Sequence, residues 1–105
     1  MAWIALFVAG LLEIVWAFSM KQSEGFTRLW PTVVTFGAMF ASFGLLGLAM
    51  RSLPLGTAYM VWTGIGALGA FLLGVMILGE SAGVMRLGAA ALILGGLVLM
   101  KLAPA

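Results

Sequence analysis

The stretch AGLLEIVWA, residues 9–17, decides the fold, because it places one carboxylate, Glu13, inside a long apolar run. Twelve helical steps of about 1.5 Å put Glu13 roughly 18 Å from Met1, near the middle of a hydrocarbon core about 30 Å thick. A charge at that depth costs about 2.5 to 3.5 kcal/mol on insertion scales, so such a residue faces a partner or a hydrated cavity. The sequence therefore predicts a membrane-spanning helix with a functional acid at its centre.

Burial at this depth also makes Glu13 a candidate proton carrier. Because hydrocarbon disfavours the charged carboxylate, protonation and cation binding become competing ways to neutralise it. Competition for one charge is the simplest chemical basis for exchange of a proton against a cation. The alternative is a protonated Glu13 that only hydrogen-bonds to a neighbouring helix.

The composition is that of an integral membrane protein. Hydrophobic residues make up 65% of the chain and charged residues 8%, which excludes an ordinary water-soluble globule. The five basic residues lie at the ends of apolar runs, so the net charge of +2 indicates topology and headgroup contact, with no nucleic-acid binding. Since the chain has no cysteine and no histidine, we expect no disulfide, no metal site and no cofactor.

Four apolar runs are long enough to span a bilayer, with approximate limits of 2–20, 30–50, 54–79 and 82–101. The alternative for the first run is a signal peptide. That run has no basic start, carries a charge in its apolar part and precedes three further spans, so we interpret it as a retained helix. The sequence predicts an all-α membrane protein with one transmembrane domain of four helices over residues 1–105.

Four polar or aromatic side chains accompany Glu13 as candidate substrate- or proton-binding residues. Trp16 follows Glu13 by three residues and offers an indole N–H on the same helical face. Ser42 lies within the second span, where the alternative is a hydroxyl bonded to its own helix backbone. Tyr59 and Trp62 share a face of the third span. The alternative for both aromatic residues is the interfacial belt, although Trp62 lies deep for that role.

Glycines mark two further features. Gly64 and Gly66 form a candidate bend in the third span, because two glycines lower the cost of distorting a helix; the alternative is close packing in a straight helix. Gly88 and Gly95 are seven residues apart and therefore share a face of the fourth helix, where they permit contact with another copy of it. The alternative for this pair is chance placement in a glycine-rich chain.

The predicted unit is an antiparallel homodimer. Four helices are too few to enclose a cavity that keeps all the polar side chains away from lipid, so a second copy supplies the missing wall. Lys21, Arg28 and Arg86 lie on one side of the predicted spans, and Arg51 and Lys101 lie on the other. Since three against two is almost no bias, the positive-inside rule leaves the orientation undecided and we expect insertion both ways.

Three motifs carry a resemblance to a known family: GLLEIVWA at residues 10–17, KQSEGFTRL at 21–29 and PLGTAYMVWTGIG at 54–66. Over nearly its whole length the chain resembles the small multidrug resistance transporters, and among them the guanidinium exporter subtype. The resemblance implies an antiparallel dimer of four-helix protomers in the bacterial cytoplasmic (inner) membrane. Met60 departs from the small residue expected after the tyrosine, which puts local packing or the portal between helices in doubt.

The resemblance also implies roles for individual residues. Glu13 from both copies forms the shared proton and substrate site. The side chains implied to orient Glu13 by hydrogen bonds are Trp16, Ser42 and Trp62. Tyr59 is implied to line the site, the third helix to bend at Gly64 and Gly66, and the fourth to pair with its twin through Gly88 and Gly95.

The expected function is proton-coupled export of guanidinium and small substituted guanidinium cations, with Glu13 as the exchange site. A guanidinium group fits a carboxylate bidentately and is weakly hydrated, so it loses little on entering a confined site. The alternatives are a quaternary ammonium or aromatic-cation exporter of the same family, a structural membrane subunit that transports nothing, and a passive cation or proton pore. No enzyme is expected, since no nucleophile and base pair is present.

Overall fold

Four long helices make up most of the protein. The computed structural model describes residues 1–103, and the helices are α1 (Ala2–Gln22), α2 (Leu29–Ala49), α3 (Leu55–Met76) and α4 (Val84–Leu102). Each helix is long and apolar enough to cross a membrane. The chain is therefore an all-helical, multi-pass membrane protein, which confirms the predicted all-α class with four helices able to span a membrane.

The end of α3 differs from the sequence-based limit. The helix ends at Met76, before the predicted residue 79. Gly79 adopts a φ of +73°, and the N–H of Glu80 donates to the Gly74 carbonyl at 2.9 Å. Glycine reaches this left-handed conformation without a steric cost, so the backbone leaves the helix here although the sequence stays apolar.

The connection between α1 and α2 is held by a buried serine. The Ser23 hydroxyl donates to the Met20 carbonyl at 2.6 Å and accepts from the Phe26 N–H at 3.0 Å. Glu24, Gly25 and Phe26 all have positive φ values, of 50°, 75° and 68°. These local bonds hold the chain in a compact reversal, which places α1 and α2 side by side.

Small residues bring α1 and α3 into close contact. α1 packs against both α2 and α3, and α4 packs against α3. A side chain at Gly10 would overlap Ile65, and a side chain at Gly69 would overlap Ile14. In a membrane, such close backbone approach is a main source of helix association, because lipid provides no hydrophobic force between helices. The fit between α1 and α3 also fixes where the middle of α1 lies.

The protomer is a thin slab. Its Cα atoms extend over 43 × 35 × 16 Å, so the shortest dimension is less than half of either of the others. None of the α4 residues is buried. The buried apolar residues are Leu6, Ala9, Leu46, Ala49, Ala58, Val61 and Trp62. Both broad faces of the slab therefore remain available to lipid or to another chain.

Candidate functional site

Glu13 lies on α1 with its carboxyl group against the backbone of α3. The carboxyl occupies the space that a side chain at Gly66 would need. Its Oε1 atom is buried and accepts no hydrogen bond from any part of the chain between residues 1 and 103. Buried polar atoms in proteins are normally paired, so an unpaired acceptor in apolar surroundings is a place where a proton or a cation is stabilised.

Trp16 provides an unpaired donor on the same helix. Its indole Nε1 is buried and donates to no acceptor in the described part of the chain. Trp16 follows Glu13 by three residues, so the two side chains are neighbours on one helical face. Glu13 and Trp16 thus contribute one buried unpaired acceptor and one buried unpaired donor, the pattern expected where a ligand or water completes the hydrogen bonding.

Ser42 connects three helices. Its hydroxyl donates to the Ala9 carbonyl of α1 at 2.7 Å and accepts from Nε1 of Trp62, on α3, at 2.9 Å. Ser42 itself is on α2 and has no exposed surface. The alternative in which Ser42 bonds to its own helix therefore does not describe this structure. Thr35 does make such a bond, from its hydroxyl to the Pro31 carbonyl at 2.7 Å.

These hydrogen bonds differ from the ones that the family resemblance implies. Ser42 and Trp62 were expected to hydrogen-bond Glu13, but within this protomer they bond to each other and to the backbone of α1. The bond from the Ser42 hydroxyl to the Ala9 carbonyl lies one turn before Glu13 on the same face of α1. The network therefore fixes the part of α1 that carries Glu13, and direct bonds to its carboxylate remain a prediction for the assembled protein.

Three aromatic rings lie together beside this network. The Trp62 ring centroid is 5.6 Å from that of Tyr59 and 5.8 Å from that of Phe43, which meets it edge-on. Trp62 is 7% exposed, whereas Tyr59 is 53% exposed. The rings therefore form a wall that starts in the protomer core and ends at its surface. The sequence offered no reason to select Phe43, since Phe36 and Phe40 lie on the same helix.

The glycines of α3 and α4 have different surroundings. Gly64 faces the Leu97 side chain of α4 and Gly66 faces Glu13, both so closely that a Cβ would overlap them. A Cβ at Gly88 or at Gly95 would meet nothing within 4 Å. Gly64 and Gly66 therefore allow close packing against neighbouring side chains. α3 is one continuous helix, and a bend at these glycines stays a prediction. The second pair lies on an open face, and its pairing with another copy also stays a prediction.

A second carboxylate, Glu80, lies beyond the end of α3, where it pairs with an arginine. Glu80, in the connection between α3 and α4, pairs with Arg86 at 3.5 Å, and the two side chains are 45% and 47% exposed. The guanidinium carbon of Arg86 also lies 5.3 Å from the ring centroid of Phe71. An ion pair this exposed has little energetic weight. Glu13 is thus the carboxylate set apart by its depth in the helix bundle.

Comparison with known proteins identifies the relatives of this chain. A family model described as "Small Multidrug Resistance protein" matches residues 1–93. A protein of Proteus vulgaris named "Guanidinium exporter" is 54% identical over 103 residues, covering 98% of this chain and 99% of that protein. Proteins with the same name from Yersinia pestis and Shigella flexneri are 56% and 57% identical. The match to the Yersinia protein covers 98% of this chain and 99% of that protein. The match to the Shigella protein covers 97% of each chain.

Proposed function

The chain belongs to the small multidrug resistance family, and from this premise we propose that it is a proton-coupled antiporter that exports guanidinium and small substituted guanidinium cations. The full-length similarity to three proteins named as guanidinium exporters supports the substrate class. The observation that carries the proposal is the buried Oε1 of Glu13, which has no hydrogen-bond partner in the described chain. Bacterial relatives support a place in the inner membrane.

The chemistry of the site suits a flat cation. Guanidinium presents paired N–H donors that match the two oxygens of a carboxylate, and it is hydrated more weakly than an ammonium ion. Aromatic faces add cation–π attraction, which strengthens where water is excluded. The half-exposed Tyr59 ring is the member of the aromatic wall that an entering cation would meet first.

Exchange follows from the competition for Glu13. With the site open to the outside, a proton binds the carboxylate and releases the substrate. With the site open to the cytoplasm, the proton leaves and a guanidinium cation takes its place. A bound proton and a bound guanidinium cation each neutralise the Glu13 carboxylate. The carboxylate is therefore neutralised both when the site turns from inside to outside and when it turns back.

An antiparallel homodimer is the proposed working unit. No residue of α4 is buried within the protomer, and the half-exposed Tyr59 indicates a face that a second copy would cover. α4 carries the open glycines Gly88 and Gly95, which would allow two copies of this helix to approach closely. In such a dimer the inward-open and outward-open states have equivalent structures, so little free energy separates them.

Flux in liposomes tests the proposal. Protein is reconstituted with a guanidinium gradient, and substrate flux and opposing proton movement are recorded for the native chain, Glu13→Gln and Glu24→Gln. Glu24 lies in the exposed connection between α1 and α2, so its replacement is a matched loss of one carboxylate. We expect coupled flux from the native chain and the Glu24 variant, and none from Glu13→Gln.

The alternatives give different results in the same assay. Tetramethylammonium flux that exceeds guanidinium flux would assign the protein to quaternary ammonium export. Substrate movement without opposing protons would indicate a passive pore. A protein that assembles normally and moves neither ion would be a structural subunit, and flux that survives Glu13→Gln would falsify the proposed exchange site.

A further inference from the structure

An apolar cavity lies away from the Glu13 carboxyl group. It is an open groove of about 640 Å³ between α1, α3 and α4. Its walls are almost entirely apolar. The residues that line it include Trp3, Phe7, Val61, Ile65, Leu97 and Lys101. We call it the α1/α3/α4 groove.

The α1/α3/α4 groove runs along the helices for about half the depth of one bilayer leaflet. Its lining covers residues 3–8 of α1, 61–65 of α3 and 97–102 of α4, so it extends roughly 6 to 8 Å at about 1.5 Å per residue. The hydrocarbon core is about 30 Å thick, which makes one leaflet about 15 Å deep. At the other end, Trp3 lies in the first turn of α1 and Lys101 in the last turn of α4.

The groove and the candidate transport site use different faces of α3. Val61 and Ile65 are one turn apart and line the groove, whereas Tyr59 precedes Val61 by two residues. At about 100° per residue, positions two apart lie on nearly opposite sides of a helix. A molecule in the groove would therefore not occupy the Tyr59 side of the protomer.

One cation marks the shallow end of this apolar groove. The ammonium Nζ of Lys101 lies 4.4 Å from the centroid of the Trp3 ring, at the level where helix ends meet lipid headgroups. Lysine at such a position attracts phosphate, and an indole ring beside it is typical of the interface. The groove thus combines apolar walls within the outer half of one leaflet with a positive charge at its shallow end.

We propose that the α1/α3/α4 groove binds one acyl chain of an anionic phospholipid, whose headgroup phosphate pairs with Lys101. The chain lies parallel to the helices between Phe7 and Leu97 and covers Ile65. A zwitterionic lipid would bring its own ammonium group next to Lys101, which costs part of the attraction. The charge at the groove's end therefore selects phosphatidylglycerol over phosphatidylcholine.

Fluorescence quenching by lipids with brominated acyl chains tests this site in full-length protein in vesicles. Trp3 emission is obtained by subtracting the emission of Trp3→Phe from that of the native chain. The subtraction cancels the signal of the other three tryptophans. One Lys–headgroup interaction of about 1 kcal/mol corresponds to a roughly fivefold preference. We expect brominated phosphatidylglycerol to compete for the site beside Trp3 with that advantage over brominated phosphatidylcholine.

Two variants separate the headgroup from the acyl chain. Lys101→Gln is expected to abolish the preference, while Arg51→Gln, which removes the cation of the α2–α3 connection at the same membrane surface, is expected to retain it. Val98→Phe adds volume to the groove wall at an exposed position and should reduce quenching by both lipids. Equal quenching by both lipids in the native protein, or a preference that survives Lys101→Gln, would overturn the proposal. Absence of quenching by either lipid would also overturn it, since a second protein chain would then cover the groove.

Discussion

The carboxyl group of Glu13 lies in the space that a side chain at Gly66 would need. This contact joins the middle of α1 to the middle of α3 and depends on the absence of a Cβ at residue 66. Gly56 of the same helix, by contrast, faces open space. The position of the acid is therefore set by the backbone of a neighbouring helix as well as by its own.

Gly66→Ala is expected to displace the Glu13 carboxyl and impair transport. A misplacement of about 1 Å at a reacting group costs on the order of 100-fold in rate, and we expect a loss of that size in guanidinium flux. Gly56→Ala is the matched control, since it makes the same change on α3 where nothing lies within 4 Å, and it should transport normally. Full activity of Gly66→Ala would contradict this role.

Stability measurements identify the clash itself. If the alanine methyl group meets the carboxyl, the loss of stability from Gly66→Ala should shrink when Glu13 is first replaced by Ala. The double-mutant cycle isolates that coupling, because residues in contact deviate from additivity by about 0.5 to 3 kcal/mol. An unchanged stability loss in the Glu13→Ala background would indicate some other cause.

Ser42→Ala should weaken the junction of α1, α2 and α3. The change leaves the buried Trp62 Nε1 without its acceptor and removes the bond to the Ala9 carbonyl. We expect a loss of about 0.6 to 1.7 kcal/mol in the free energy of unfolding, the range for interhelical hydrogen bonds in membranes. Unfolding in mixed micelles measures it, with Ser52→Ala in the exposed α2–α3 connection as the control. Equal effects of the two changes would count against the junction.

The four helices could be predicted from the sequence, whereas the contacts of the site could not. A lipid core requires about 20 apolar residues per span, so run length alone locates each helix. The predicted end of α3 was less accurate than the other limits, because Gly79 turns the backbone within an apolar run. Glu13 was identified by its depth, a property of its own helix.

Contacts between helices depend on register, which the sequence does not display. The acceptor for Ser42 is the backbone carbonyl of Ala9, and a carbonyl is present at every residue. Gly66 was selected as part of a bend, but its closeness to Glu13 follows from the fit of α1 against α3. The contact of Phe43 with Trp62 likewise needs the relative position of α2 and α3.

Gly95→Leu is expected to weaken the proposed dimer without disturbing the protomer. Gly95 has open space around it, so a leucine fits within the single chain but prevents close approach of a second α4. We expect dimer dissociation in liposomes, followed by energy transfer between labelled chains, to become easier by about tenfold, or 1.4 kcal/mol. Gly96→Leu is the control, because the adjacent residue also faces open space but points about 100° away. A dimer that tolerates Gly95→Leu would remove α4 from the interface.

Insertion in both orientations is expected to respond to a single added charge. Since the chain has no cysteine, Ser52→Cys introduces a unique label site in the α2–α3 connection. A membrane-impermeant maleimide should label about half of the molecules in intact cells, as expected when basic residues give almost no bias. Adding Gln22→Lys places a fourth basic residue beside Lys21, Arg28 and Arg86, and should increase labelling by holding that end inside. Gln22→Met is the control, and complete labelling or none before the added charge would contradict dual insertion.

The most direct test of the central claim is proton release when guanidinium binds. Purified protein in lipid nanodiscs is placed in a weakly buffered, mildly acidic solution, and the pH is followed as guanidinium chloride is added, with sodium chloride as the ionic-strength control. If one carboxylate serves both ligands, the native chain and Glu24→Gln will acidify the solution in a saturable manner, and Glu13→Gln will not. Saturable guanidinium binding by the native chain with no proton released, or release that persists in Glu13→Gln, would contradict the account.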